Sequence, residues 1–156
     1  MKTNSILLLF IPIILLLSCK TSKNTSDNTS KQYRQKDNIQ FYYGGTLTEV
    51  IDRAADEGKI VFLDMTADWC APCKMMEDEV YTYQPLYEFM NENFVSYRLD
   101  IEKENGPNIA FLYNVKSLPT ILFLDTKGRT LVKKVGSVDI TTFMNLAKKA
   151  LNKAKE

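Results

Sequence analysis

The chain has 156 residues, of which 45% are hydrophobic and 25% are charged, and its formal net charge is +1. This length and composition fit one globular domain with additional segments. Because 20 Lys and Arg are balanced by 19 Asp and Glu, the total charge does not indicate the broad basic field that binds nucleic acid, and we expect no nucleic-acid partner. The absence of histidine argues against most hydrolases and metalloenzymes.

The first nineteen residues have the pattern of a targeting segment. Residues 6–17 are apolar apart from Pro12, and at about 1.5 Å per residue they are too short to cross a hydrocarbon core of roughly 30 Å. They predict the hydrophobic region of a signal peptide. The run ends Leu16-Leu17-Ser18-Cys19, which resembles a lipobox and implies that residues 1–18 are removed and Cys19 is lipidated. An ordinary secretory signal with a coincidental cysteine is the alternative.

Residues 19–38 predict the lipidated cysteine followed by a flexible tether. Residues 20–38 contain one aromatic side chain, Tyr33, and no aliphatic side chain beyond threonine methyls, so the segment cannot bury enough surface to offset the entropy of ordering. As a flexible coil it spans on the order of 25 Å. We therefore expect a lipid-anchored protein of the bacterial cell envelope, facing the periplasm or the cell surface. The outer membrane is preferred because Lys20 is not an acidic retention signal.

Residues 39–156 predict alternating strands and helices. Alternation and apolar runs predict strands at 39–43, 60–65, 94–99, 120–124 and 129–135. Helical spacing predicts helices at 46–58, from about 71 to 91, at 109–113 and at 139–153. Pro85 is expected to break or kink the second helix. The order predicts an α/β fold with helices on both faces of a mixed sheet, parallel in its first half and antiparallel at the last hairpin.

The segment Trp69-Cys70-Ala71-Pro72-Cys73-Lys74 carries the chemistry. It lies where a buried strand passes into a helix, so we expect Cys70 at the helix N-terminus, near unpaired amides and the positive end of the helix dipole. That setting stabilises a thiolate and makes Cys70 the nucleophile. Cys73 lies one turn further in, is expected to be less exposed, and serves as the resolving thiol.

Three other uses of a C-x-x-C pair fit the sequence less well. A structural zinc or iron–sulfur site generally needs four ligands, whereas this chain has three cysteines and no histidine. We expect no metal and no other cofactor. A c-type haem site requires histidine where this chain has Lys74. A purely structural disulfide would close too small a loop to gain much stability.

Several separate motifs over residues 39–151 resemble the thioredoxin superfamily. Residues 64–74 are similar to its active-site block, Leu118-Pro119-Thr120 to the loop that carries a cis-proline, and Val135-Gly136 to the end of its last strand. Met75-Met76-Glu77 and the segment through 91–95 are most similar to the periplasmic C-terminal domain of the transmembrane thiol:disulfide interchange reductase. The resemblance implies a thioredoxin-like three-layer sandwich and an enzyme that exchanges disulfides with protein thiols.

The chain departs from cytosolic thioredoxins at three places. Ala71 replaces a glycine, Arg98 lies near a position that is often lysine, and residues 83–85 lengthen the connection after the active site. These departures leave the reduction potential and the partner open. A membrane electron donor would make the domain a reductant, whereas without one an oxidising compartment would leave it oxidised. We expect a monomer.

Asp64 is the predicted acid of the site. Strand alternation places it on the same side as Ile60 and Phe62, among apolar neighbours. Burial there would raise its pKa, and the resemblance implies that Asp64 passes protons to and from Cys73. A structural, hydrogen-bonded aspartate is the alternative.

Trp69, Leu118 and Pro119 are the predicted substrate-binding residues. The resemblance implies a cis bond before Pro119, which would present the backbone of Leu118 beside Cys70 for pairing with a substrate chain. A plain turn at Pro119 is the alternative. Trp69 is expected to be either a partly exposed cover over the active site or a core residue, and Asp68 is expected to be a solvated charge. Three tyrosines are expected to serve in packing: Tyr81, Tyr83 and Tyr87.

The alternative function is a non-catalytic binding module on a thioredoxin-like scaffold, since a fold does not determine a function. The Cys70 and Cys73 pair and Asp64 argue against this alternative, because a pure binding module needs none of them.

Overall fold

The computed structural model describes residues 38–156. The predicted signal peptide, the lipidated Cys19 and nearly all of the predicted tether lie outside these residues. Asn38, predicted as the last residue of the tether, is instead buried at 7% exposure. Asn91 Nδ2 donates to its carbonyl oxygen at 3.2 Å. The folded part therefore includes Asn38. Over 38–156, no helix is both long and apolar enough to span a bilayer.

Five strands form one mixed sheet in the order β1-β3-β2-β4-β5. They are β1 (Phe41–Tyr42), β2 (Ile60–Thr66), β3 (Phe94–Asp100), β4 (Thr120–Leu124) and β5 (Thr130–Val135). β3 runs parallel to β1 and β2, whereas β4 runs antiparallel to both β2 and β5. The mixed sheet is confirmed, but its antiparallel part already begins between β2 and β4. The reason is that β4 starts beside the end of β2, where Thr120 is the register partner of Met65.

Five α-helices cover the sheet: α1 (Leu47–Asp56), α2 (Ala71–Met75), α3 (Gln84–Asn93), α4 (Gly106–Leu112) and α5 (Ile140–Lys153). A π-helical segment, Met76–Val80, continues α2. The predicted break comes at residues 81–83, and Pro85 lies in the first turn of α3, where its missing N–H costs no hydrogen bond. α4 likewise starts earlier than predicted, with Pro107 in its first turn.

Thr46 fixes the start of α1 with a capping box. The Glu49 N–H donates to Thr46 Oγ1 at 3.2 Å, and the Thr46 N–H donates to Glu49 Oε2 at 2.7 Å. The helix buries Leu47, Val50 and Ala54 against the sheet. The capping signal read from the sequence thus sets both the start of the helix and the face that packs.

Two apolar layers lie on opposite faces of the sheet. One packs beneath α3, α5 and the π-helical segment, where the rings of Phe62 and Phe143 lie 5.3 Å apart, centroid to centroid. The other packs beneath α1 and α4. Helices, sheet and helices form the predicted three-layer α/β sandwich.

The topology brings three segments of the chain to one end of the sheet. β2 ends there and leads into α2, β4 starts there, and β5 ends there. The Gly136 N–H, just after β5, donates to the Pro119 carbonyl oxygen at 2.8 Å. This end of the sheet holds the candidate site.

Candidate active site

Cys70 and Cys73 are joined in a disulfide at the start of α2. Cys70 is the N-cap residue, and the Cys73 N–H donates to its Sγ at 3.3 Å. Pro72 lies in the first turn. When the disulfide is reduced, this N–H and the positive helix end favour the thiolate form of Cys70.

Both cysteines of the disulfide are buried. Cys70 is 4% exposed and Cys73 is 6% exposed, because both pack with Ala67 and against Leu118. The expectation that Cys73 would be the less exposed residue is therefore wrong for the disulfide form. Position relative to the end of the helix, rather than burial, distinguishes the two sulfurs.

Asp64 lies in the middle of the sheet at 2% exposure, as the strand alternation predicted. Arg98 is its register partner on β3, and Arg98 Nε donates to Asp64 Oδ2 at 2.9 Å. Burial raises the pKa of the Asp64 carboxyl, and the charge and hydrogen bond of Arg98 only partly offset that effect. Asp64 Oδ1 has no hydrogen-bond partner of good geometry among the described residues, but the nearby Tyr81 hydroxyl acts to lower the pKa of the carboxyl.

Arg98 links the buried carboxylate to the surface. Its Nη1 lies 3.1 Å from Glu77 Oε1, and its guanidinium carbon lies 4.3 Å from the ring centroid of Phe41. Burial alone would lower the pKa of Arg98, but Asp64, Tyr81 and Glu77 raise it overall, so the side chain stays protonated. Arg98 thus carries a permanent positive charge in a largely apolar setting.

A cleft of about 200 Å³ opens beside the disulfide. Cys73, Glu77 and Arg98 lie in its wall, together with Cys70 and Lys74. Asp64 lies behind Arg98 and is not part of that wall. Arg98 therefore contacts the buried carboxylate and also lines the cleft beside the disulfide.

Tyr81 is fully buried in the aromatic core, and Tyr87 packs partly against it. Burial raises the pKa of the Tyr81 hydroxyl well above its ordinary value, and the charge of Asp64 adds to this. Tyr83 is 46% exposed. The packing role predicted for the three tyrosines therefore fails at Tyr83, which lies in the turn before α3.

The bond between Leu118 and Pro119 is cis. Leu118 packs against the two cysteines, and Thr120 Oγ1 donates to the Ser117 carbonyl oxygen at 2.6 Å. The structure therefore brings Leu118 to the disulfide, as expected from the resemblance.

Trp69 and Asp68 stand at the outer side of the site. Trp69 is 66% exposed, which excludes the core alternative. Asp68 is exposed, as predicted, and forms an ion pair with Lys103.

Sequence reasoning did not assign Glu77 and Tyr81 to the site and did not recognise Arg98 as the partner of Asp64. One signal was present: alternation along 94–99 places Arg98 on the same side of β3 as Phe94 and Ser96. An arginine on an apolar strand face requires an acid nearby. Among residues 38–156, no three acidic or cysteine side chains are grouped so as to hold a metal ion.

Residues 47–151 match the family model of the thioredoxin-like domain. The chain therefore belongs to the thioredoxin-like family. The fold and the Cys70–Cys73 disulfide define it as a protein of the thioredoxin-like disulfide oxidoreductase type.

Relatives named thiol:disulfide interchange protein DsbD support this placement. That of Actinobacillus pleuropneumoniae is 31% identical over 123 residues, covering 76% of this chain and 21% of the relative. That of Haemophilus ducreyi is 35% identical over 102 residues, covering 64% of this chain and 17% of the relative. The chain thus spans about a fifth of the length of these relatives.

Solved structures agree with the same placement. A Bacteroides thetaiotaomicron protein assigned as a disulphide-isomerase is 30% identical, with a TM-score of 0.67, covering 76% of this chain and 97% of that one. The oxidised C-terminal domain of Neisseria meningitidis DsbD shares the fold at 19% identity and a TM-score of 0.56, covering 65% of this chain and 90% of that one.

Proposed function

We propose that this protein is a thiol:disulfide oxidoreductase of the bacterial cell envelope that exchanges disulfides with protein substrates through Cys70. The observation that carries the proposal is the disulfide at the N-terminus of α2, where the Cys73 N–H donates to Cys70 Sγ. The named relatives act in thiol:disulfide interchange, which supports the same chemistry here.

Reduction of a substrate takes two exchange steps. The Cys70 thiolate attacks one sulfur of the substrate disulfide, forming a mixed disulfide and releasing the other substrate sulfur as a thiolate. Cys73 then loses its proton and attacks Cys70 Sγ, which releases the second substrate sulfur and closes the Cys70–Cys73 disulfide. Two electrons pass to the substrate. Regeneration needs a dithiol donor, for which we propose a membrane electron donor; run in reverse, the steps oxidise a substrate.

Asp64 is the proposed proton acceptor for Cys73. Burial raises its pKa, and its Oδ1, beside the Tyr81 hydroxyl, is the oxygen that Arg98 leaves to take up a proton. Arg98 bonds the other oxygen and also lies in the cleft wall with Cys73. Proton transfer by a positioned carboxylate is a common contribution to such steps.

Trp69, Leu118 and Pro119 are the proposed substrate-binding residues. Trp69 presents a largely exposed ring next to Cys70, and Leu118 packs against the disulfide. A substrate segment lying along the Leu118 backbone would place its own sulfur near Cys70 by adding a short strand.

A trapping experiment tests the redox proposal. In a Cys73→Ser variant, mixed disulfides through Cys70 should accumulate in an oxidising cell extract. The matched Cys70→Ser variant should accumulate none, and iodoacetamide should label Cys70 of the reduced parent well before Cys73. If neither variant traps a partner, the non-catalytic binding module becomes the better description.

The proposed location is the cell envelope, where a lipid on Cys19 anchors the chain after removal of residues 1–18. The outer membrane is the preferred membrane. Mass spectrometry of the membrane fraction should find a chain that begins at acylated Cys19. A chain without acyl groups in the soluble fraction would contradict the proposed lipid anchor. It would not affect the proposed redox function.

A further inference from the structure

The charged residues are unevenly distributed along the described chain. Residues 38–115 contain fourteen acidic and five basic residues, whereas residues 116–156 contain three acidic and nine basic residues. The nearly neutral total charge therefore conceals an acidic part and a basic part.

The ion pairs follow the same division. Every basic residue of 38–115 pairs with an acidic side chain: Arg53, Lys59, Lys74, Arg98 and Lys103. In 116–156, Arg129 pairs with Asp125 at 2.6 Å. The eight lysines of this part have no acidic partner among the described residues. Their charges are thus available to an external partner.

Four of these lysines lie around α5 and the neighbouring edge strand. α5 contains no acidic residue, and it buries Phe143, Ala147 and Ala150 against the sheet. β5 is an edge strand, and Lys153 Nζ donates to the Leu131 carbonyl oxygen at 3.2 Å, which joins the end of α5 to that edge. We call the resulting surface the basic edge; its lysines are Lys134, Lys148, Lys149 and Lys153.

We propose that the basic edge docks on an anionic lipid surface, with its ammonium groups against the phosphates of the headgroups. The side chains favour this partner over a protein surface. Protein interfaces are enriched in Tyr, Trp and Arg and depleted in Lys, whereas the basic residues of 116–156 that lack an acidic partner are all lysines. The exposed aromatic residues that the structure describes lie on other elements: Trp69, Tyr83 and Phe111. Clusters of four to eight basic residues are typical of proteins that bind anionic lipids.

This inference rests on the proposed membrane address and is independent of the redox activity. A domain tethered near a lipid surface meets it at a high local concentration, so a weak contact is sufficient. The disulfide lies at the end of β2, which β4 separates from β5. Docking through the basic edge therefore leaves the exposed Trp69 side of the site uncovered while restricting the orientation of the site.

The proposal is tested by measuring the rate of acylation at each lysine of the full chain in the presence of vesicles. The purified chain is combined with vesicles of phosphatidylcholine, alone or with about 30% phosphatidylglycerol, and treated with an amine-acylating reagent before digestion and mass spectrometry. The basic edge lysines should react at least about threefold more slowly with the anionic vesicles, and about 1 M salt should remove the protection by screening. Lys74 and Lys103, which are exposed but paired, are internal controls that should not change.

A pair of matched variants separates the surface from the total charge. K148Q/K149Q should weaken vesicle binding by about fivefold per lysine removed. K116Q/K127Q removes the same number of unpaired charges outside the basic edge and should keep the protection.

Equal labelling of the basic edge with both vesicle types would overturn the proposal. So would protection that rises with protein concentration in the absence of vesicles, because a second copy would then cover the surface. The same digest shows whether Cys19 is acylated. A missing lipid anchor on Cys19 and a failure of the basic edge to dock are therefore distinguished.

Discussion

Arg98 Nε lies 2.9 Å from Asp64 Oδ2, and Arg98 Nη1 lies 3.1 Å from Glu77 Oε1. One guanidinium therefore joins a carboxylate in the centre of the sheet to a carboxylate in the cleft wall. Because the surrounding side chains are largely apolar, the ionised Asp64 carboxylate depends on Arg98 for its neutralisation.

Asp64→Asn should separate a functional acid from a structural one. If Asp64 accepts the Cys73 proton, the variant should slow the resolving step by about ten- to a hundredfold, as measured by stopped-flow reduction of a disulfide substrate. An unchanged rate would mean that Asp64 is only a hydrogen-bond acceptor for Arg98.

The same variant should gain stability relative to the parent as pH rises from 4 to 8. The pKa of Asp64 is raised in the folded state, so the parent bears the cost of a buried charge above that pKa, whereas the loss of the Asp64 partner costs the variant a pH-independent amount at Arg98. The difference between the two proteins should become constant below the unfolded value of about 3.9. Denaturant midpoints between pH 4 and pH 8 measure this, and a stability difference that does not change with pH would contradict it.

Arg98→Met should destabilise the fold at pH 8 by about 3 kcal/mol, since it leaves the buried Asp64 carboxylate without its cation. Without Arg98, the folded-state pKa of Asp64 should rise further. The destabilisation should therefore be complete above that pKa and decrease as pH falls through it. Urea unfolding over the same pH range measures this. The control Lys74→Met breaks exposed ion pairs and should show no measurable change.

Thr46→Ala should cost about 1 kcal/mol, because it removes the side-chain oxygen that accepts the Glu49 N–H. Thermal or urea unfolding detects a change of this size. Thr48→Ala is the matched control, since Thr48 lies exposed within α1 and caps nothing. Equal effects of the two substitutions would mean that the capping box does not stabilise α1.

Gly106→Ala should cost about 2 kcal/mol or more, because a Cβ at this position would overlap the backbone carbonyl of Asp100. Either α4 or the end of β3 would have to move. Phe111→Ala, in the same helix at 89% exposure, should change the stability by less than about 0.5 kcal/mol. Unfolding midpoints that fail to separate the two variants would mean that the start of α4 is free to shift.

Local patterns predicted most elements because each carries its own periodicity. The burial of Asp64 followed from alternation along β2, and the start of α1 followed from Thr46 and Glu49. These signals depend on a few neighbouring residues, which is why the sequence alone was sufficient.

The remaining features depend on contacts between distant segments. Arg98 is the partner of Asp64 only because β2 and β3 pair in one particular register, and a strand pattern does not specify register across 34 residues. Pro85 indicated a break in the predicted helix but did not show on which side of the proline the break lies. The chain turns at 81–83, and Pro85 then lies in the first turn of α3. The equal burial of the cysteines arises from Leu118, which is distant in sequence.

Asn91 holds the first described residues onto the fold through both ends of its amide. Its Oδ1 accepts the Gln40 N–H at 2.8 Å while its Nδ2 donates to the Asn38 carbonyl oxygen, and β1 adds only two residues of pairing. A pulling force arriving along the preceding chain would load these bonds first, together with the Ile39 N–H bond to the Tyr81 carbonyl oxygen and the buried side chains of Ile39 and Phe41. Because the Phe41 ring lies against Phe62 and the Arg98 guanidinium, peeling of β1 would also disturb the partner of Asp64.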